Sequence, residues 1–237
     1  MLIVCDFDGS ASFQNGAKTV LDQFVDANDS LEIRGSRASW VNGDISFRVY
    51  QETAFRRTGA SVEEIGLLVG DLINLRDGFA QMVAAAEKVG ARFLIASAGI
   101  DSYIRPALEF AGHADTEVVS VIVRDDPDRE NGDGLLFEYP PAEERCNPDW
   151  AVCKCQPMTE ALDRGEEVIF VGDGLRSDAC TAGIATKVFA RERLLESCRE
   201  RKIPATPYDD LSVVADYIRS AAPHKNTVGK PKQAPKK

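Results

Sequence analysis

No stretch of about 18 apolar residues occurs in this chain, so no membrane span is expected. No basic region precedes the strand-like residues that begin at Leu2, which leads us to expect no secretory signal and a cytoplasmic location. From Pro223 onward there is neither an acidic residue nor an apolar pattern, and Lys225, Lys230, Lys232, Lys236 and Lys237 stand among residues such as Pro, Gly, Gln and Ala. Residues 223–237 are therefore expected to form a disordered basic tail that stays solvated. Taking those five charges from the formal net charge of −10 leaves −15 on residues 1–222. Such a body repels polyanions, which argues against nucleic acid as a partner. Any handling of phosphate must rest on local cations and a metal.

Disulfides are not expected either. The six cysteines, Cys5, Cys146, Cys153, Cys155, Cys180 and Cys198, read as reduced thiols in a chain without an export signal. Cys5 and Cys180 adjoin the motifs described below, and small buried hydrophobes are the better reading of both. Cys146, Cys153 and Cys155 contain no C-x₂-C pair, and neither His113 nor His224 is an obvious fourth ligand, so structural zinc is the weaker reading of that group.

What is present is ordinary in amount and unusual in order. With 237 residues, 44% apolar and 28% charged, the chain can bury a full core, as one domain with a sizeable insertion or as two small ones. Its first residues, Leu2-Ile3-Val4-Cys5-Asp6-Phe7-Asp8-Gly9-Ser10, carry two carboxylates from an apolar run straight into a glycine turn. Strand alternation would project Asp6 and Asp8 to one side and Phe7 to the other. Two like charges held so close are costly unless a cation lies between them or they divide the labour of nucleophile and acid. Taken alone, the stretch reads equally as turn chemistry.

Three later stretches change that weighing. Arg92-Phe93-Leu94-Ile95-Ala96 leads to Ser97-Ala98-Gly99; Lys154 stands inside Cys153-Lys154-Cys155; and Glu167-Val168-Ile169-Phe170-Val171 ends in Gly172-Asp173-Gly174-Leu175-Arg176-Ser177-Asp178. Between them, Val20, Leu21, Phe24 and Val25 fall at helical spacing, and Ser61 with Glu64 fits a capping box ahead of Ile65, Leu68, Val69, Leu72 and Ile73. A second helix runs from Asp77 to Gly90. Later helices are expected over 101–111, 159–164, from Asp178, over 192–202 and over 211–221. Further strands are expected over 117–123, 134–139 and 187–190. Strands alternating with helices imply an α/β fold with a parallel sheet covered on both faces. Asp6 and Ser97 are too far apart for a simple crossover, so residues 14–75 read as an inserted, mainly helical cap on a core of residues 1–13 and 76–222. In an open parallel sheet the ligand site lies beyond the carboxyl ends of the strands, where Asp6, Ser97 and Asp173 would gather.

The ordered set DxDG[ST], Ser, Lys and GDxxxxD resembles the haloacid dehalogenase superfamily of aspartyl-phosphate phosphotransferases. The resemblance covers roughly residues 1–220 and implies a Rossmann-like core with a cap that covers the active site and selects the substrate. It implies a Mg²⁺-dependent phosphatase acting on a small phosphorylated metabolite. Asp6 would be the nucleophile, and Asp8 would protonate the leaving oxygen and later activate water. Ser97 and Lys154 would bind the transferring oxygens, with backbone donors from Phe7, Gly9 and Ala98. Asp6, Asp173 and the carbonyl of Asp8 would hold Mg²⁺, with Asp178 orienting Lys154 or a bound water. For Asp178 a helix N-cap is an equal reading.

Two departures narrow the branch. Phosphoserine phosphatases resemble the chain in cap position, but residues 9–21 contain no acid to read a substrate ammonium. The approach Cys146-Asn147-Pro148-Asp149-Trp150-Ala151-Val152-Cys153-Lys154 is similar to the branch of the methionine-salvage enolase-phosphate phosphatases and the phosphoethanolamine/phosphocholine phosphatases. Two rivals stand beside this reading: a phosphotransferase or mutase with the same intermediate, and a catalytically silent relative that binds a phospho-ligand or a protein.

Overall fold

The structure, a computed structural model, describes residues 1–128, 134–143 and 146–221. The basic tail expected over 223–237 lies outside the described residues. Among the described residues seven strands form one sheet: β1 (Leu2–Cys5), β2 (Arg92–Ile100), β3 (Glu117–Asp125), β4 (Leu135–Glu138), β5 (Val168–Gly172), β6 (Lys187–Ala190) and β7 (Ala205–Pro207). Their order across the sheet is β4-β3-β2-β1-β5-β6-β7. Only β4 runs antiparallel, as the edge strand beside β3, so the sheet is mixed rather than wholly parallel. All other pairs are parallel.

Alternation along the strands sorts the core into two layers. Ile3, Cys5, Ile95, Ile169, Val171 and Phe189 join one buried cluster. Leu2, Val4, Leu94, Ala96, Val168, Phe170 and Val188 join the other. The first layer is closed by α5 (Phe79–Val89), α6 (Asp101–Phe110) and α10 (Ser212–Ala221), the second by α7 (Cys155–Asp163), α8 (Ser177–Ala182) and α9 (Glu192–Glu200). Strands buried on both faces can afford no polar alternation, which is why they read as continuous apolar runs.

Between β1 and β2 lie α1 (Gly16–Phe24), α2 (Ala27–Asn42), α3 (Phe47–Arg56) and α4 (Val62–Val69). The capping box at the start of α4 is formed, with the Ser61 hydroxyl accepting from the Glu64 N–H and the Glu64 carboxylate accepting from the Ser61 N–H. Of the face expected to follow it, Ile65, Val69 and Ile73 are buried, whereas Leu68 and Leu72 are exposed. Leu72 turns outward because the α-helix stops at Val69 and a 3₁₀ turn, Gly70–Leu72, follows, whereas Leu68 lies with exposed Leu67 on the outer side of α4. Helix α4 packs on α6, where Gly66 and Gly70 leave room for Pro106. Among the described residues no helix is long and apolar enough to cross a membrane.

Candidate active site

Register places the chemistry. Cys5 pairs with Ile95 on one side and with Val171 on the other. Asp6, Ala96-Ser97 and Gly172-Asp173 therefore follow at the same edge of three adjacent strands, and the Asp6 N–H donates to the Val171 carbonyl at 2.9 Å. The expectation that β2 ends before Ser97 is corrected. The strand continues to Ile100, and its pairing with β3 slips between Ala96 and Ile100, so Ser97 sits at an irregularity rather than past an end. Ser97 is buried, and its hydroxyl oxygen accepts from the Gly99 N–H at 3.1 Å.

Lys154 is 2% exposed and lies between two carboxylates: its Nζ donates to Asp6 Oδ1 at 2.5 Å and to Asp178 Oδ1 at 2.5 Å. Burial disfavours the ammonium, but Asp178 and Asp6 overcome it, so the pKa of Lys154 lies above that of an ordinary lysine. Burial pushes Asp6 well above the usual carboxylate range, with Lys154 pulling the other way and Asp178 and Asp173 adding to the push. Burial likewise raises Asp173, to about 6. Carboxylate oxygens of Asp6, Asp173 and Asp178 all lie within 4.8 Å of one another. Three acids against one ammonium leave an excess of two negative charges, and closely set hard oxygens suit a divalent cation such as Mg²⁺. Asp178 is not an N-cap: its Oδ2 accepts from the N–H groups of Gly174 at 2.9 Å and Asp173 at 3.3 Å, fixing the loop ahead of α8.

The chain leaves β1 at Cys5 and wraps through a wide turn, Phe7–Ala11. Alternation therefore stops before Asp8, and the two acids face different partners instead of sharing one side. Asp8 Oδ2 accepts from the Tyr103 hydroxyl at 2.6 Å and Oδ1 from the Gly16 N–H at 2.6 Å. Burial raises the pKa of Asp8 despite those two donors. Gly9 holds the turn at φ +78°, and a Cβ there would stand 2.6 Å from Asp173 Oδ2. The Ser10 hydroxyl donates to Asp173 Oδ1 at 2.8 Å.

A buried arginine clamps the same turn. Arg76 donates through Nη2 to the Gly9 carbonyl at 2.9 Å, through Nε to the Ser10 carbonyl at 3.0 Å and through Nη1 to the Asp209 carbonyl at 3.2 Å. Arg191, just after β6, adds a second donor to the Gly9 carbonyl at 3.1 Å. From α3, Gln51 reaches in: its Nε2 donates to the Ala98 carbonyl at 2.7 Å, and its Oε1 is buried without a hydrogen-bond partner. Nearby, Arg176 lies over the Trp40 ring at 3.6 Å, and Trp40 stacks on Tyr50. A cavity of about 330 Å³ opens between the α2–α3 connection and the turn 147–150, lined among others by Trp40, Phe47, Trp150 and Arg176.

The structure thus brings Asp6, Lys154, Asp173 and Asp178 into direct contact or close approach, with Ser97 and Asp8 on the adjoining segments. Sequence reasoning assigned no role to Ser10, Tyr103, Arg76, Arg191 or Gln51. Only Ser10 had a signal, its place after the glycine of the first motif. Cys5 is fully buried, as expected, but Cys180 is only half-buried and its Sγ lies 3.1 Å from that of Cys155, so it is not a simple core residue. His113 packs edge-on against Phe79.

No protein-family model matches the chain. A 2-hydroxy-3-keto-5-methylthiopentenyl-1-phosphate phosphatase of Bacillus velezensis is 27% identical over 231 residues, covering 92% of this chain and 90% of the relative. One of the same description from Bacillus cereus is 24% identical, covering 92% and 95%. Among solved structures, a phosphoserine phosphohydrolase-like protein from Francisella tularensis superposes with a TM-score of 0.61 at 20% identity, covering 92% of this chain and 99% of that one. A phosphoserine phosphatase captured as a phospho-aspartyl intermediate analogue gives 0.58 at 16% identity, covering 91% and 97%.

Proposed function

We propose that this chain, a phosphatase of the haloacid dehalogenase-like superfamily, hydrolyses the phosphomonoester of a small metabolite in two steps through an aspartyl-phosphate on Asp6. The observation that carries the reading is the pair of acids one residue apart in different settings, Asp6 against Lys154 and Asp8 against Tyr103. In the first step an Asp6 oxygen attacks phosphorus, the ester P–O bond breaks, and the departing oxygen takes a proton from Asp8. The raised pKa of Asp8 suits it to carry that proton. In the second step Asp8 takes a proton from water, the water oxygen attacks phosphorus, and the Asp6–phosphorus bond breaks to release phosphate. Asp8 ends each step in the form the next one needs.

Lys154 supplies a fixed positive charge to the transferring oxygens, and Ser97 with backbone donors near Phe7, Gly9 and Ala98 completes the cradle. Asp6, Asp173 and the Asp8 carbonyl, with Asp178 beside them, would hold Mg²⁺, which supplies further neutralisation of phosphoryl charge. Residues 14–75 serve as the cap, a reading supported by Gln51 reaching the carbonyl next to Ser97. The substrate class we favour over phosphoserine is a phosphate of the kind named for the Bacillus relatives, because residues 9–21 hold no acid to read a substrate ammonium. We place the enzyme in the cytoplasm, consistent with six free thiols.

The test is turnover of an aryl phosphate and of a panel of phosphorylated metabolites. Asp6→Asn and EDTA should each abolish it; sustained activity in either case would refute the mechanism. Hydrolysis in labelled water must place solvent oxygen in the released phosphate, and its absence would favour transfer to another acceptor.

A further inference from the structure

Outside the catalytic cluster, three cysteines of one segment meet a fourth from beyond β5. The Sγ atoms of Cys146, Cys153 and Cys155 all lie within 4.8 Å of one another, with Cys146 and Cys153 3.2 Å apart. Cys180, from α8, adds a fourth sulfur 3.1 Å from that of Cys155. These separations far exceed the S–S bond of about 2.05 Å, and all four thiols are free. A tetrahedral Zn²⁺ with Zn–S bonds of about 2.3 Å needs sulfurs about 3.8 Å apart, so the two short contacts would each open by roughly 0.6 Å, and Cys180, which stands outside the mutual 4.8 Å set, would draw in toward Cys146 and Cys153 as the ion binds. Cys153 and Cys155 are buried, while Cys146, Cys155 and Cys180 line a cavity of about 260 Å³ shared with Trp150 and Ile184, which gives the ion a way in. The sequence hid the fourth ligand because it follows 25 residues after Cys155, past a strand, with no C-x₂-C spacing to announce it.

We propose that Cys146, Cys153, Cys155 and Cys180 bind one structural Zn²⁺. Soft thiolates in a four-sulfur set select zinc over the hard cation suited to the neighbouring carboxylates, so the two sites do not compete for the same metal. Binding forms four Zn–S bonds and releases the thiol protons to solvent. The site explains how an irregular segment is held. Residues 146–154 offer only the 3₁₀ turn Pro148–Trp150 and a left-handed Ala151 at φ 61°, yet they must deliver Lys154 to within 2.5 Å of two acids. The ligands flank that lysine on both sides, and the fourth belongs to the short helix that carries Asp178.

The experiment is elemental analysis of the full chain, purified without a metal-affinity step and dialysed against EDTA. About one zinc per chain should remain, and Cys153→Ser or Cys180→Ser should lose nearly all of it, whereas Cys198→Ser should keep it. Cobalt(II) in place of zinc should give the intense visible absorption of a tetrahedral thiolate site. Wild-type protein without zinc, an iron chromophore, a mass lower by two protons per disulfide, or zinc retained in both ligand variants would each overturn the proposal. Should the ligand variants fail to fold, the zinc content and cobalt spectrum of the unaltered chain decide it. None of these measurements reads phosphatase activity, so the zinc site and the catalytic reading fail separately.

Discussion

The sheet and the helices inserted between its first two strands are built to different tolerances. Ile3, Val4, Cys5, Leu94, Ile95, Ile169 and Phe170 are wholly buried, and each acid at the edge they form is fixed by at least one hydrogen bond. In the insertion, by contrast, Leu31 and Val41 of α2 are each 64% exposed and Leu67 of α4 is 65% exposed. The contrast separates two tasks. Positioning for phosphoryl transfer tolerates little error, so the sheet edge over-determines it. If the insertion selects what enters, as proposed above, that task needs only a few contacts, and the outward faces of these helices are free to vary.

Substitutions can test how sharp that division is. The largest effect is expected at Lys154. Lys154→Met leaves Asp6 and Asp178 buried without their shared cation, which should cost about 3–5 kcal/mol in unfolding free energy and lower turnover at least 10³-fold, on the order expected for a charge-stabilising group. Chemical denaturation and steady-state kinetics measure both; Lys154→Arg should rescue neither, because the planar fork cannot occupy the position of a compact ammonium.

Next in size is the response to Mg²⁺. Burial raises Asp173 to about 6, above its unfolded value, so between the ordinary carboxylate range and that pH the native metal-free protein binds more protons than the unfolded chain. Its stability should therefore fall as pH rises through that window. Mg²⁺ at 100 times its dissociation constant should restore about 2.7 kcal/mol near pH 7.5, and much less near pH 5, when melting is followed at both values. An increment independent of pH would show that the acids do not hold the ion.

Tyr103→Phe removes the donor to Asp8 Oδ2, and about 1–3 kcal/mol should appear as lost stability together with a fall in kcat. Gln51→Ala sharpens the comparison from the insertion side: about 1 kcal/mol, or roughly a fivefold rise in KM with kcat little changed. Leu31→Ser, on the exposed face of α2, should shift unfolding by less than about 0.5 kcal/mol and leave kinetics unaltered. A large effect there would mean the insertion is as constrained as the sheet.

What the sequence disclosed follows the same division. Strands β1, β2 and β5 are apolar on both faces, and the motif residues directly follow their apolar runs, so fold and acidic cluster could both be read from short local patterns. Strand β7 could not, because Ala205–Pro207 is three residues long and ends in proline. Helix α7 begins at Cys155, four residues before the helix expected from Thr159, since the cysteines and Pro157 masked its first turn. Tyr103 and Arg76 act across 95 and 67 residues, and nothing near either one in the chain marks its partner. Local periodicity reports which face is buried; it does not report which side chain crosses the interior to meet a loop.

The guanidinium of Arg76 carries one more implication. It joins the turn after Asp6 to the carbonyl of Asp209, and the Leu211 N–H returns to the Asp77 carbonyl at 2.7 Å. During synthesis the carboxylate proposed as nucleophile is therefore made first and braced last. A nascent chain halted near residue 204 should contain every motif yet turn over no substrate, and it should gain activity when a peptide spanning 205–221 is supplied in trans.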